Sequence, residues 1–173
     1  MGKATDAKIE IHNGDITKLD VDAIVNAANA QLRPGGGVCG AIHRAAGKNL
    51  REACAKIGRC PAGGAVHTEG FDLAAQYIIH AVGPVWQGGG RDEDALLASC
   101  YRTSLKIARQ IGARSIAFPA ISTGVYAFPL ERATQIAVAT VREFLADNDD
   151  IDKVIFCVFG DEAEAAYRKA LAR

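Results

Sequence analysis

Short apolar runs alternate with longer amphipathic segments along the chain, a pattern typical of a layered α/β sheet. The apolar runs predict six strands, at Lys8–His12, Ala23–Asn26, Gly64–Thr68, Tyr77–Val82, Ser115–Ala120 and Lys153–Phe159. The last two runs are apolar on both faces, as is typical of central strands that helices cover on each side. Only residues 69–76 separate the third and fourth strands, too few for a crossover helix, so we expect at least one antiparallel pair.

Helical periodicity fills most of the chain between these strands. It predicts helices at Gly40–Ala46, continuing after Gly47 into Asn49–Ile57, and at Asp92–Ile111, Leu130–Ala146 and Asp161–Ala172. The helix over 92–111 has an acidic opening, which suits an N-terminus, and an apolar stripe made of Leu97, Tyr101, Leu105 and Ala108. We therefore expect a three-layer α/β/α sandwich around a mixed, mostly parallel sheet, built as a single domain from residues 1–173.

Composition and charge exclude several classes of protein. Hydrophobic residues make up 49% and charged residues 23% of the chain, close to the globular average, so it can bury a core. The 20 basic and 20 acidic residues cancel and no basic run gathers, so direct nucleic-acid binding is not expected. The N-terminus is short and polar, and no segment approaches the ~20 apolar residues of a membrane span. We therefore expect a soluble, cytoplasmic protein without membrane contact.

The cysteines and histidines do not form the patterns of a disulfide framework or a metal site. The five cysteines are an odd number with no C-x-x-C pair, which is typical of reduced thiols in a cytosolic protein. The four histidines stand at no metal-ligand spacing, and we interpret them as structural. No metal and no redox cofactor is therefore expected.

Four polar or glycine-containing segments each follow a predicted strand or open a helix. They are Gly-Asp-Ile-Thr at 14–17, Ile-Val-Asn-Ala-Ala-Asn at 24–29, Gly-Gly-Gly-Val-Cys-Gly at 35–40 and Ser-Thr-Gly-Val-Tyr at 122–126. In open α/β sheets, ligands bind just beyond the carboxyl ends of the strands. The four segments are therefore predicted to converge on one crevice.

Residues 35–40 match the dinucleotide-binding pattern G-x-G-x-x-G, but they lack its usual surroundings. Eight residues separate the glycines from the strand end at Asn26, and the next acidic residue is Glu52. A nicotinamide dehydrogenase is therefore a poor fit. The glycines nevertheless let a ligand approach the backbone closely, and the helix start that follows offers free N–H groups to a phosphate.

The loop at 122–126 offers hydroxyls, a glycine and free amides between a buried strand and the helix that opens near Pro129. Two such loops could hold two phosphates. A pyrophosphate bound mainly by backbone N–H groups would explain how a chain of zero net charge holds an anionic ligand without an arginine cluster.

Three polar side chains lie next to strongly apolar segments and would be costly to bury unpaired. Asp15 could accept a hydrogen bond from an exocyclic amine, and its alternative role is to cap a helix or an Asx-turn. Asn29 offers both a donor and an acceptor to a sugar diol. Asn26 is a further candidate for substrate binding, and its alternative role is to organise the loop.

In this order and spacing, the four segments resemble the macrodomain family, specifically its MacroD-type branch of ADP-ribose hydrolases and O-acetyl-ADP-ribose deacetylases. The resemblance covers nearly the whole chain, and in the last two motifs it extends to Gly-Gly-Gly-Val-Cys-Gly-Ala-Ile-His at 35–43 and Phe-Pro-Ala-Ile-Ser-Thr-Gly-Val-Tyr at 118–126. It implies ADP-ribose or O-acetyl-ADP-ribose as ligand, a mono-ADP-ribosylated protein as a further partner, and hydrolysis of an ester at the terminal ribose.

The resemblance also implies a role for each site residue. Asp15 would bond the adenine amine, the Ile16 backbone would bond the ring edge, Phe159 would stack on adenine, and Asn29 would hold the terminal ribose. The diphosphate and distal ribose would be wrapped by Gly36, Gly37 and Val38 of the first loop and by Ser122, Thr123, Gly124, Val125 and Tyr126 of the second.

One residue departs from the family pattern. Active members carry an Asp, which helps orient or activate the water, where this chain has Cys39. We expect a water held between Asn29 and the pyrophosphate to attack, with a substrate phosphate oxygen as base in place of that Asp. Two alternatives stay open: a module that binds ADP-ribose without turnover, and a thiol hydrolase in which Cys39, at a helix N-terminus, works with His43.

Overall fold

The computed structural model of the protein describes residues 2–173, and it describes side chains from residue 4 onward. The strands are β1 Ile9–Asn13, β2 Ala23–Ala28, β3 Ala65–Glu69, β4 Tyr77–Val82, β5 Ser115–Phe118 and β6 Lys153–Val158. The helices are α1 Gly2–Asp6, α2 Gly37–Ala46, α3 Lys48–Ile57, α4 Glu93–Gln110, α5 Leu130–Asp147 and α6 Asp161–Leu171. A short 3₁₀ turn, Ile16–Lys18, follows β1.

The strands form one sheet in the order β1-β6-β5-β2-β4-β3. Every neighbouring pair is parallel except β3 and β4, which run antiparallel with Ala65 opposite Ala81. The predicted antiparallel pair and the mixed, mostly parallel sheet are therefore confirmed. The central position predicted for β5 and β6 is also confirmed, because each has a strand on both sides.

Alternate side chains of the strands pack into two separate cores, one on each face of the sheet. Val25 and Ile79 face the core under α4 and α5, whereas the adjacent Ile24 and Ile78 face the core under α2 and α3. The predicted stripe on α4 is buried, with Leu97, Tyr101, Leu105 and Ala108 all at most 1% exposed. These two helical layers give the α/β/α sandwich that the sequence predicts.

Most element boundaries differ from the sequence prediction by one to three residues, and two of these shifts have a plain physical reason. Helix α2 begins at Gly37 rather than Gly40, because the glycines that weaken a helix interior are tolerated in its first turn. Strand β5 ends at Phe118, since Pro119 has no N–H to donate to the next strand. Helix α1 was not predicted, because five residues are too short to show a helical period. Among the described residues, no helix is both long and apolar enough to cross a membrane.

Candidate functional site

A cleft of about 690 Å³ opens at the carboxyl ends of the parallel strands, and the predicted segments meet there. Its walls include Asp15 and Ile16, Asn29, the loop at 35–39, the loop at 119–126, and Phe159. Parallel strands all present their carboxyl ends at the same edge of the sheet, which explains why segments far apart in sequence converge. The structure therefore brings together every predicted site residue except Asn26.

The glycine loop supplies free donors to one wall of the cleft. Gly36 is the N-cap of α2, and the N–H groups of Gly36, Gly37 and Val38 have no acceptor among residues 4–173. The loop is tightly folded, because a Cβ at Gly40 would overlap the carbonyl oxygen of Gly35. Free amides at a helix N-terminus favour an anion at this point.

The loop at 122–126 also supplies free donors to the cleft. The backbone N–H groups of Gly124, Val125 and Tyr126 make no hydrogen bond within the described part of the chain. The Thr123 hydroxyl instead holds the loop in place, donating to the carbonyl oxygen of Ala120 at 2.8 Å. The loop therefore offers its free backbone amides to a ligand, while the Thr123 hydroxyl is used within the loop.

Ser122 braces this loop against the end of β4. Its backbone has a φ of 68°, and its buried hydroxyl has no hydrogen-bond partner within residues 4–173. A Cβ at Gly83 would overlap that hydroxyl, so only glycine allows the two segments to approach this closely. The sequence does not reveal the role of Gly83, because Ser122, the residue that it contacts, lies 39 residues away along the chain.

The segment between β4 and α4 supports the same loop from behind. The Trp86 N–H donates to the carbonyl oxygen of Tyr126 at 2.8 Å. Within the segment, the buried Glu93 carboxylate accepts hydrogen bonds from the backbone N–H groups of Gln87, Gly89 and Arg91. Burial raises the pKa of Glu93, but these donors prevail and lower it to about 2. The acidic opening of α4 therefore fixes the preceding loop rather than simply capping the helix.

Asp15 fills the capping role, one of the two roles that the sequence left open. Its Oδ1 accepts from the Thr17 N–H at 2.9 Å and from the Thr17 hydroxyl at 2.7 Å, which caps the 3₁₀ turn. These donors lower the pKa of Asp15, so it is ionised at neutral pH. Among residues 4–173, Oδ2 accepts no hydrogen bond, and the half-buried residue lines the cleft. One oxygen thus serves the fold while the other is available to a ligand.

Phe159 stands at the same end of the cleft as Asp15. It follows the last residue of β6 and is 86% exposed, so one ring face is open to a planar ligand. The two segments are tied together, since the Gly14 N–H donates to the carbonyl oxygen of Val158 at 2.9 Å. Ile16 lies beside them and is buried.

Asn29 is held at the other end of the cleft by the backbone of Arg33. Its Nδ2 donates to the Arg33 carbonyl oxygen at 2.9 Å, and its Oδ1 accepts from the Arg33 N–H at 3.0 Å. An amide has two hydrogens and two lone pairs, so each end of the side chain keeps one unused position. Asn29 can therefore still bind a sugar hydroxyl or a water.

Cys39 lies next to Asn29 and shares its partner. Its thiol points to the Arg33 carbonyl oxygen at 3.6 Å, and Asn26 Nδ2 approaches the sulfur at 3.7 Å. Cys39 is only 6% exposed although it lines the cleft. Among the described residues, His43 is not a hydrogen-bond partner of this thiol, so the geometry lacks the base that a thiol hydrolase needs.

Asn26 lies below the cleft rather than on its wall. It is 1% exposed, and its Nδ2 lies 3.1 Å from His80 Nδ1. On the other side of that ring, His80 Nε2 lies 3.0 Å from the Thr68 hydroxyl. Burial lowers the pKa of His80 to about 3, so the ring is neutral and links Asn26 to β3. This position suits the loop-organising role that was the alternative for Asn26.

Comparison with known proteins identifies the architecture. A family model described as the Macro domain matches residues 25–137. The chain belongs to the macrodomain family. The resemblance seen in the four segments is thus confirmed, and the matched range of this macrodomain includes both the glycine loop and the loop at 122–126.

Relatives with most of their length matched support the assignment. This macrodomain is 60% identical over 158 residues to a macro domain-containing protein of Chlorobaculum tepidum, covering 91% of this chain and 92% of that one. It is 53% identical over 167 residues to the O-acetyl-ADP-ribose deacetylase of Klebsiella pneumoniae, covering 94% and 95%. The solved Trypanosoma brucei macrodomain in complex with ADP-ribose has a TM-score of 0.90 at 41% identity, covering 95% and 69%.

Proposed function

We propose that this macrodomain binds ADP-ribose in the cleft and hydrolyses an ester on its terminal ribose, the acyl group being acetyl or a protein Asp or Glu side chain. One observation carries the proposal: an ionised Asp15 at one end and Asn29 beside Cys39 at the other, with two loops of free amides between them. We also treat residues 1–173 as one macrodomain, because all six strands belong to one sheet.

The cleft orients the nucleotide by the chemistry of its ends. Asp15 Oδ2 accepts from the adenine amine while the exposed Phe159 ring stacks on the base. The diphosphate lies between the two loops, where backbone N–H groups bind it without requiring a nearby cation. The terminal ribose then reaches Asn29, which has one donor and one acceptor position unused.

Hydrolysis requires a positioned water and a base. In our mechanism, Asn29 and the diphosphate hold a water, which attacks the carbonyl carbon of the ester. A phosphate oxygen of the substrate takes a proton from that water and then gives it to the ribose oxygen, which leaves as the ribose hydroxyl when the tetrahedral intermediate collapses. The products are ADP-ribose and the free carboxylic acid. The substrate has to supply the base in this route because position 39 holds a thiol rather than a carboxylate.

A second candidate function is a module that binds ADP-ribose without turning it over. The observation that favours it is the orientation of Cys39, whose thiol donates to the Arg33 carbonyl and is nearly buried. A thiol in that arrangement neither holds a water nor accepts a proton from one. Binding does not depend on it, because the diphosphate contacts come from backbone amides.

Incubation with O-acetyl-ADP-ribose in H₂¹⁸O separates these functions. Attack by water on the acyl carbon predicts one ¹⁸O atom in the released acetate and none in ADP-ribose. A matched exposed variant, Gln31→Ala, should react like the wild type, because Gln31 lies in the same loop without a described contact. Tight ADP-ribose binding without acetate release would reject hydrolysis and leave the binding module.

A further inference from the structure

The cations of this chain differ sharply in whether they have a carboxylate partner. Every lysine and arginine from residue 114 onward forms an ion pair: Arg114, Arg132, Arg142, Lys153, Arg168, Lys169 and Arg173. Within residues 4–173, no ion pair involves the cations between residues 33 and 59, which are Arg33, Arg44, Lys48, Arg51, Lys56 and Arg59. All of these are exposed, and Glu52 is the one acidic residue in that range. Zero net charge for the whole chain therefore hides a basic face on α2 and α3, made of Arg44, Lys48, Arg51 and Lys56. Glu52 and the carboxylate of Asp72, which lies beside Gly47 between the two helices, offset it only in part.

Two of these arginines stand at the end of the cleft that contains Asn29. Arg33 is fixed there because its backbone bonds the Asn29 side chain at both ends. Arg44 Nη1 folds back along α2 to within 3.1 Å of where a Cβ on Gly40 would lie, directly over the glycine loop. Arg51 on α3 lies near α2, since its charge adds to burial in lowering the pKa of His43.

At this end of the cleft, the acyl group on the bound ribose would extend out of the cleft toward solvent. In the proposed function the terminal ribose lies at Asn29, so a polypeptide attached to that ribose would pass Arg33 and Arg44. Unpaired cations attract acidic side chains over roughly a Debye length, which is about 8 Å at physiological salt. Such charges contribute more to partner selection than to affinity.

We propose that this basic face of α2 and α3 docks an acidic polypeptide segment that carries ADP-ribose on one of its Asp or Glu residues. The proposal rests on the proposed function, and it names the class of macromolecular substrate. A nucleic acid fits less well, because residues 33–59 contain no Phe, Tyr or Trp on which a base could stack.

The test compares two short peptides that carry ADP-ribose through a non-hydrolysable linkage, one flanked by Glu and one by Ser. Binding of both peptides and of free ADP-ribose is measured by calorimetry for the wild type, Arg44→Glu, Arg51→Glu and the double variant. Arg33 is left unchanged because its backbone holds Asn29. The matched control is Lys106→Glu, because Lys106 is an exposed cation on α4, in the opposite layer, and forms no ion pair within residues 4–173.

We expect the wild type to bind the Glu-flanked peptide more tightly than the Ser-flanked one. Each single variant should bind the Glu-flanked peptide about 2- to 5-fold more weakly than the wild type does. In Arg51→Glu, the binding of the Ser-flanked peptide and of free ADP-ribose should change by less than about 2-fold, and in the Lys106→Glu control the binding of all three ligands should do so. Because Arg44 lies over the glycine loop, Arg44→Glu is judged by the ratio of its affinities for the Glu-flanked and the Ser-flanked peptide. Equal binding of the two peptides to the wild type, with ADP-ribose binding intact, overturns the docking face alone. Failure to bind ADP-ribose at all overturns the proposed function and this inference together. A single-stranded oligonucleotide is tested in the same way. If it binds the wild type more tightly than the Glu-flanked peptide does, and does not bind Arg44→Glu, the basic face binds nucleic acid instead.

Discussion

The side-chain amide of Asn29 is clamped by the backbone of Arg33, which accepts from its Nδ2 and donates to its Oδ1. The clamp closes a loop of five residues and fixes the amide plane beside the cleft. The same Arg33 carbonyl accepts from the Cys39 thiol. The orientation of Asn29 is thus part of the fold before any ligand arrives, which is the preorganisation that catalysis requires.

Replacing Asn29 by Ala should affect turnover more than binding. The diphosphate contacts come from other residues, whereas the water loses its positioned partner. We expect kcat for O-acetyl-ADP-ribose to fall by about 10²–10³-fold, the cost typical of losing one such donor. The dissociation constant for ADP-ribose, measured by calorimetry, should change far less. Parallel losses in both quantities, with Gln31→Ala unaffected, would place Asn29 in binding only.

Asp15 can be dissected because its two oxygens have different partners. Asp15→Asn keeps an oxygen that caps Thr17, so it should retain most of the stability, whereas Asp15→Ala should cost about 0.5–2 kcal/mol of unfolding free energy. Both variants should weaken the binding of ADP-ribose far more than the binding of ribose-5-phosphate, because ribose-5-phosphate has no adenine. Urea titrations and calorimetry with the two ligands measure these effects. Equal weakening of the two ligands would give Asp15 a purely structural role.

Some features of the candidate site could be predicted from the sequence, and others could not. The loops at 14–17, 35–40 and 122–126 were predictable, because polar and glycine residues at strand ends depend only on local pattern and topology. The link between Asn26 and His80 was not, because it joins side chains on neighbouring strands 54 residues apart. The basic face was hidden for a similar reason: ion pairing is a tertiary property, and a search for basic runs does not reveal which cations lack partners.

His80 makes stability depend on pH in a defined range. An unfolded histidine has a pKa of about 6.5, but the folded pKa of His80 is about 3. Below pH 6.5 His80 is protonated in the unfolded chain but stays neutral in the folded protein. The free energy of unfolding therefore falls as the pH falls toward 3. The slope approaches about 1.4 kcal/mol per pH unit for this one group, and His43 adds in the same direction because burial also lowers its pKa. Urea unfolding between pH 7.5 and 4.8 measures the total.

The ring resonances of His80 isolate its share of this effect. They should show no titration in the folded protein between pH 7.5 and 4.8. A midpoint near 6.5 for His80 would refute the buried, neutral ring that links Asn26 to Thr68.

Substitutions at Cys39 decide between the catalytic alternatives. With a substrate phosphate as base, Cys39→Ala and Cys39→Ser should keep most of the turnover. Cys39→Asp should raise it, because a carboxylate can act as the base for the water. That carboxylate would be stabilised by Asn26 Nδ2 and by its place in the first turn of α2. Initial rates with O-acetyl-ADP-ribose give the comparison.

Alkylation tests the remaining role for this thiol. Burial raises the pKa of Cys54 and Cys157 to about 11 and that of Cys100 to about 12, so these three should resist iodoacetamide. A nucleophilic Cys39 would be alkylated with loss of activity and be protected by ADP-ribose. Abolished turnover in Cys39→Ala, with ADP-ribose binding intact, would overturn the proposed mechanism in favour of the thiol.

Binding of ADP-ribose to the folded chain can be measured directly by thermal unfolding. At 100 times its dissociation constant, a ligand specific for the native state adds about 2.7 kcal/mol to the free energy of unfolding. For a domain of this size that corresponds to a rise in Tm of about 5–10 °C. We predict this rise for the wild type, and a much smaller one for Asp15→Ala at the same ADP-ribose concentration. An unchanged Tm at millimolar ADP-ribose, with the native fold verified by circular dichroism, would show that the cleft does not bind ADP-ribose.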